Sequence, residues 1–311
     1  MFKIVLLFAA LLVPGYALGK AKMLEECSVL SFGNLLMYVA MPFLVFSKLI
    51  EIDFSGITLS SIAISALMPV ALELTLLFFC HAVFVSEERK KRAAMFCAVF
   101  PNCGFLGIPL ASAMWSDKPE IVLYLSIFNV VSTFLLLTLG IYILSGDKKN
   151  ISFRRTLASP IFFAILLGVV ASGTGIGNSM PLLFTYSKTL AQLTTPLAMT
   201  VLGYELSKLD LVKMWCNVEL YTASLARLVI SPGIAIIILA LLKFVLKFNV
   251  GENVIAAMLV ATAVSTATSA PAMAKKYGAD SEHAACLTLG NTLLCVLTLP
   301  LAYTLCVCIF N

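Results

Sequence analysis

Long apolar runs, each ended by a short cluster of charges or by glycine and proline, recur along the whole chain. Windows bounded in this way predict ten helical segments, at 2–19, 28–49, 57–85, 93–115, 120–144, 159–177, 181–204, 217–246, 253–274 and 284–310. A helix needs roughly 20 residues to cross the hydrocarbon core of a bilayer, which most of these segments supply. The residues left over make only short loops, with no room for a separate soluble domain.

Composition identifies the solvent. Of 311 residues, 61% are hydrophobic and 12% charged, and the mean hydropathy is +1.02. Soluble domains run at about 45–50% apolar and 25% charged. So few charges cannot cover so much apolar surface in water, so the predicted class is an all-α integral membrane protein. The first segment has a second reading. Phe2–Leu18 joins a lysine, an apolar run and small residues near Gly19, the pattern of a secretory signal peptide. A retained first helix is the expectation, because its counterpart in the second half of the chain has no such processing context.

The formal net charge of +5 bears on topology once its distribution is read. Loops after odd-numbered segments carry Lys20, Lys22, Arg89, Lys90, Lys91, Arg92, Lys148, Lys149, Arg154, Arg155, Lys208, Lys213, Lys275 and Lys276, which is 14 of the 21 basic residues. By the positive-inside rule these loops are cytoplasmic and both termini face outward, in a multi-pass protein of the cytoplasmic membrane. The charge therefore signals orientation, and no nucleic-acid partner is expected. Most of the nine cysteines lie in or beside apolar runs, no CxxC pair occurs and there are two histidines. They read as small apolar fillers, with no metal site and no cofactor.

The two halves, 1–150 and 151–311, resemble one another. An offset of 154 carries Pro42 onto Pro196 and Glu73 onto Arg227, and an offset of 162 carries Pro109 onto Pro271 and Asn129 onto Asn291. Five helices followed by five more must run in opposite senses, so the pattern predicts a 5+5 inverted repeat, a common plan of secondary transporters. The fourth segment contains FPNCGFLGIPL (Phe100–Leu110), and the ninth reads ATAVSTATSAPAMAKKYGAD (Ala261–Asp280). Proline removes a backbone donor and clashes with the preceding turn, so both helices should break. Broken backbone at membrane depth is tolerated where protein or a water-filled cavity satisfies it. Half-helix N-termini there would attract an anion, and freed carbonyls or hydroxyls could hold a cation or water. Ordinary proline kinks are the alternative.

Six stretches in order resemble the auxin efflux carrier family, which joins bacterial organic-anion permeases with the plant PIN-FORMED carriers. They are GYALGKAKMLEE (Gly15–Glu26), YVAMPFLVFSKL around Pro42, PNCGFLGIPL, TTPLAMTVLGYELSK (Thr194–Lys208), APAMAKKYG (Ala270–Gly278) and LTLPLA (Leu297–Ala302). The resemblance implies a bile-acid symporter-like elevator fold, with a scaffold of helices 1, 2, 6 and 7, often dimeric. Helices 3–5 and 8–10 would form the moving transport domain. Helices 4 and 9 would cross at Pro109 and Pro271, with a small carboxylate bound near Asn102; Cys103, Gly104, Pro109, Ser269, Pro271, Thr195 and Pro42 are further candidate substrate-binding residues.

The chemistry suits that role: an amide such as Asn102 attracts an anion without the permanent charge that would hinder release. Asn129 and Asn291 are further candidates, with interhelical hydrogen bonds as their alternative. Thr194, Thr195 and Gln192 lie around Pro196 on the scaffold side. Glu73 and Arg227 invite a structural ion-pair reading, Lys188 could snorkel to the outer interface, and His81 ends the third segment. The third segment, GITLSSIAIS (Gly56–Ser65), lacks the Asp/Lys pair of the plant carriers, and the central loop is short, about Ser145–Ser159. Auxin itself and kinase control through that loop are therefore not expected. A coupling ion, H+ or Na+, remains open: the STATS run (Ser265–Ser269) offers hydroxyls for sodium, but no carboxylate lies at the crossing to complete a strong site. No HExxH or GxSxG motif and no pair of intramembrane aspartates suggests an enzyme. A membrane sensor that does not transport is the other alternative.

Overall fold

The structure, a computed structural model, describes residues 2–52, 57–147, 160–174, 180–208 and 210–310. Gly56, the basic residues Lys148, Lys149, Arg154 and Arg155, the boundary between the halves at 150/151 and the segment end at 175–177 lie outside the described residues. The described chain is all-helical. The first run, α1, joins Phe2–Ala10 to Leu12–Lys20. Then follow α2 (Glu26–Ile50) and α3 (Leu59–Val83). A broken pair comes next, α4a (Glu88–Val99) and α4b (Cys103–Met114), and then α5 (Pro119–Ser145) and α6 (Pro160–Gly173). The seventh run is α7a (Pro181–Ala191) and α7b (Thr194–Ser207), joined by a short helix, Leu211–Trp215, to α8 (Val218–Val245). A second broken pair, α9a (Glu252–Ala263) and α9b (Ala270–Tyr277), precedes α10 (Ser281–Phe310).

Five of these, α2, α3, α5, α8 and α10, are long and apolar enough to cross a membrane. Outer faces on these helices and on α7a agree with that solvent. Phe78 on α3 is 85% exposed and Leu182 on α7a 83%, with Leu67, Leu30 and Leu301 also on the outside. A soluble monomer rarely shows a continuous apolar surface on this scale.

Local sequence accounts for three of the five widened turns among the described residues; those at Leu136–Gly140 and Leu241–Val245 have no proline after them. Three widened turns, Leu36–Ala40, Cys103–Gly107 and Ala226–Ile230, immediately precede Pro42, Pro109 and Pro232. A proline lacks the N–H for the carbonyl four residues back and crowds it. Those carbonyls belong to Tyr38, Phe105 and Leu228, all inside the widened turns, where the extra residue relieves the clash.

Packing divides the helices into two groups. In one, α1 packs along α7b, and α2 on α6 and α7a. In the other, α3 and α9a pack on α5, while α10 lies against α8, α4a and α9b. The groups are joined chiefly by the α2–α5 contact, and also where α1 meets α4b and α10, α6 meets α5 and α7b meets α4b. The α1–α7b contact is the tightest: a side chain at Gly15 would strike the Thr200 carbonyl, one at Gly203 the Leu12 carbonyl, and one at Gly19 the Ser207 side chain. Loops after odd-numbered runs meet at one end. Arg89 Nε donates to the Gly278 carbonyl at 3.1 Å, and Lys208 Nζ lies 3.7 Å from Glu26. Loops after even-numbered runs meet at the other, where Lys48 Nζ donates to the Ser116 carbonyl at 3.0 Å and Ser172 Oγ to the Ile52 carbonyl at 2.8 Å.

Candidate functional site

The breaks in α4 and α9 meet, and the backbone of each completes the other. Pro101 and Thr266 face one another in an antiparallel bridge, with Asn102 N donating to the Ser265 carbonyl at 2.7 Å and Ala267 N to the Phe100 carbonyl at 3.0 Å. Pro101 occupies the position whose N–H the bridge does not use, so its missing donor costs nothing there. The crossing is therefore at Pro101 and Thr266, not at Pro109 and Pro271 as the resemblance implies. The reason is mechanical: Pro271 fits in the first turn of α9b and Pro109 sits within α4b just after its widened turn, both helical, whereas extended backbone is needed where the chains cross.

Each carbonyl that loses its helical donor at the breaks needs another partner at this depth. Pro101 leaves the Cys97 carbonyl free, and Thr266 Oγ1 donates to it at 2.7 Å. Asn291 Nδ2 in turn donates to Thr266 Oγ1 at 2.8 Å, and Thr292 Oγ1 to Ser265 Oγ at 3.2 Å. Cys295 Sγ donates to the Ala263 carbonyl at 3.5 Å, and Arg227 serves three more. Its Nη1 donates to the Val99 carbonyl at 2.8 Å, its Nη2 to the Thr262 carbonyl at 2.7 Å, and its Nε to the Val264 carbonyl at 3.3 Å. The guanidinium, 1% exposed, thus ties together the C-terminal ends of α4a and α9a, where two helix dipoles bring partial negative charge.

This corrects the ion-pair reading of Glu73 and Arg227, which are not within ion-pair distance. Glu73, 2% exposed, instead accepts from Ser132 Oγ, and its Oε2 has no partner. The signal available in sequence was an arginine inside an apolar run, rare enough to mark a site, though its partners were not legible. The hydroxyls of Ser265 and Thr266 are likewise committed to the protein. Among the described residues no three His, Cys, Asp or Glu side chains gather in a metal-holding group.

The opposite ends of the broken helices, the N-termini of α4b and α9b, carry partial positive charge. Asn102 stands at the start of α4b. It is 4% exposed, its carbonyl accepts from Leu106 and Gly107, and its Nδ2 has no hydrogen-bond partner. Gly104 follows, with Asn129 Oδ1 3.5 Å and Met41 Cε 3.8 Å from where its Cβ would be, so α5 and α2 close over this turn. Cys103 is turned away and donates to the Leu125 carbonyl at 3.8 Å. Asn291 is used within the crossing, although its Oδ1 has no partner. Ser269 and Pro271 are half-buried at the start of α9b, and Pro42 is half-buried in α2. Pro109, Gln192 and Thr195 come together on a cavity of about 230 Å³ between α2, α4b and α7, which Lys48, Glu51 and Lys188 also line. Thr194 is buried and His81 is exposed.

Comparison with known proteins agrees with this architecture. The sequence profile of the membrane transport protein family (Mem_trans) matches residues 1–155 and 148–303. An uncharacterized transporter of Methanothermobacter thermautotrophicus is 27% identical over 235 residues, covering 74% of this chain and 76% of the relative. An uncharacterized transporter of Methanocaldococcus jannaschii is 25% identical over 244 residues, 75% of this chain and 77% of the relative. The lysosomal cholesterol signaling protein of Mus musculus is 27% identical over 177 residues, 50% of this chain but 20% of that protein. With its helices interrupted where the family motifs lie and the family profile matching along its length, the chain belongs to the membrane transport protein family, that of the auxin efflux carriers.

Proposed function

We propose that this protein is a secondary transporter that moves a small organic anion, a carboxylate, across the cytoplasmic membrane by elevator-type alternating access. The observation that carries the reading is Asn102: a buried amide with an unpartnered Nδ2, at the N-terminus of a half-helix, where two broken helices cross. A carboxylate there would meet a neutral donor and helix dipoles strong enough to hold it and weak enough to release it.

The architecture proposed with it is ten spans in two inverted five-helix repeats, 1–150 and 151–311. The meeting of odd loops at one end and even loops at the other supports alternating spans. The basic residues of the odd loops support a cytoplasmic position for that end and outward-facing termini. The two packing groups support a scaffold of α1, α2, α6 and α7 and a moving body of α3–α5 and α8–α10. The dimeric scaffold of the family is part of the same proposal.

Asn102→Ala tests the site. Losing one hydrogen bond to a charged ligand costs about 1.5–3 kcal/mol, so kcat/KM for anion uptake into liposomes should fall roughly 10–100-fold at unchanged expression and thermal midpoint. Unchanged transport of every accepted anion would refute the assignment. A carboxylate screen by thermal shift finds the substrate, and flux with and without proton and sodium gradients identifies the coupling ion. The match to the lysosomal cholesterol signaling protein favours, as a second reading, a membrane sensor; ligand binding without flux in sealed liposomes would select it.

A further inference from the structure

The cavity between α2, α4b and α7 is electrostatically unbalanced. Two ammonium groups face one carboxylate, with Lys48 Nζ 3.9 Å and Lys188 Nζ 4.0 Å from Glu51. Lys48 is committed, its side chain 15% exposed and its Nζ bonded to the Ser116 carbonyl. Lys188 makes no hydrogen bond among the described residues, and its side chain is 60% exposed. The walls add Ser112, Gln192 and Thr195, whose hydroxyl and amide donors no acceptor among the described residues takes. The space, about 230 Å³, is large enough for a small acid. Pro109, on the same helix that Asn102 begins, forms part of its wall.

We propose that this cavity is a second anion subsite at the even-loop end, where a soluble carboxylate docks on Lys188 before passing to or from the crossing. The proposal rests on the transport reading for its place in the cycle, but its chemistry stands on the cavity. One surplus positive charge beside neutral donors attracts a carboxylate from solution, and the partly exposed Lys188 ammonium keeps that attraction weak enough for release. A lipid phosphate offers the same oxyanion chemistry, so the test separates the two sources.

The probe is succinate, applied to protein in vesicles of phosphatidylcholine alone. A cysteine at Ser112 (Ser112→Cys), in a background with Cys27, Cys216 and Cys308 changed to serine, reports occupancy through its modification by a charged methanethiosulfonate. Succinate at twice its dissociation constant should slow modification roughly threefold, and Lys188→Gln should abolish the protection while Lys188→Arg keeps it. In flux, Lys188→Gln should raise KM for uptake about tenfold with little change in kcat, and should flatten the dependence of KM on salt. Absence of protection by succinate overturns the subsite even if transport is normal. Protection without any flux leaves the subsite standing and removes the transport reading. In a second set of vesicles containing phosphatidylglycerol, protection in the absence of succinate assigns the cavity to lipid and overturns the proposal.

Discussion

Replacing Arg227 with methionine is expected to cost about 3–5 kcal/mol of stability, since three buried acceptors left unsatisfied cost about 1–3 kcal/mol each and part of that is offset by no longer burying a guanidinium. Three carbonyls at the crossing, those of Val99, Thr262 and Val264, would lose their donor together. Neither helix can supply a replacement, because the breaks have removed the N–H groups that would serve them, and lipid offers none. Burying a guanidinium is itself costly, but Arg is weakly hydrated and its flat fork of donors matches several acceptors at once. The loss should appear as a drop on the order of 10 °C in the thermal midpoint of detergent-purified protein. Arg227→Lys should fall between the two, since a single ammonium restores the charge but cannot span both half-helices. A midpoint for Arg227→Met equal to the wild type would mean that water serves these carbonyls and that the guanidinium is dispensable.

Leucine at Gly203 should be nearly as damaging, for a steric reason. Even a methyl group there would collide with the Leu12 carbonyl, and backbone cannot turn aside as a side chain can. The Gly15–Gly19 pair on α1 and Gly203–Ser207 on α7b form matched small-residue ridges, the arrangement by which membrane helices approach closely. Overpacking typically costs about 1–3 kcal/mol; alanine at Gly203 should fall in that range and leucine should exceed it by forcing the helices apart. Thermal midpoints of Gly203→Ala and Gly203→Leu, with Gly233→Ala as the control, check this. A Cβ at Gly233 meets nothing within 4 Å, so that variant should behave as wild type. Equal midpoints for all three would show that the α1–α7b contact contributes nothing.

The legible part of this fold was what depends on neighbours in sequence. Apolar runs gave helices of nearly the expected extent, and the proline-rich stretches at Phe100–Leu110 and Ala261–Asp280 did interrupt theirs, because a proline acts on its own preceding turn. What depends on register between distant segments was not legible. Pro109 and Pro271 marked the right helices but the wrong residues, since the crossing needs extended backbone that only Phe100–Asn102 and Val264–Ala267 provide. Asn291 was read as a ligand or a packing group, and it bonds to Thr266 in the crossing, a choice decided by which side of α10 faces the break. The equivalence of Glu73 and Arg227 under the repeat suggested a pair, yet equivalent positions need not touch. Lys48 and Lys188 lie 140 positions apart, and nothing local announces that both approach Glu51.

The joined breaks also constrain how the protein can move. Backbone bonds between Asn102 and Ser265 and between Ala267 and Phe100, clamped by Arg227, make α4 and α9 a single mechanical piece. Such a piece cannot gape at its centre: parting its halves would break every one of those bonds at once in a medium that replaces none of them. On the proposed transport reading, opening would come from sliding at its perimeter, along the contacts that α2 makes with α5 and α7b makes with α4b. Cross-links placed within the piece should leave turnover intact, while one that fastens its edge to α2 should arrest it.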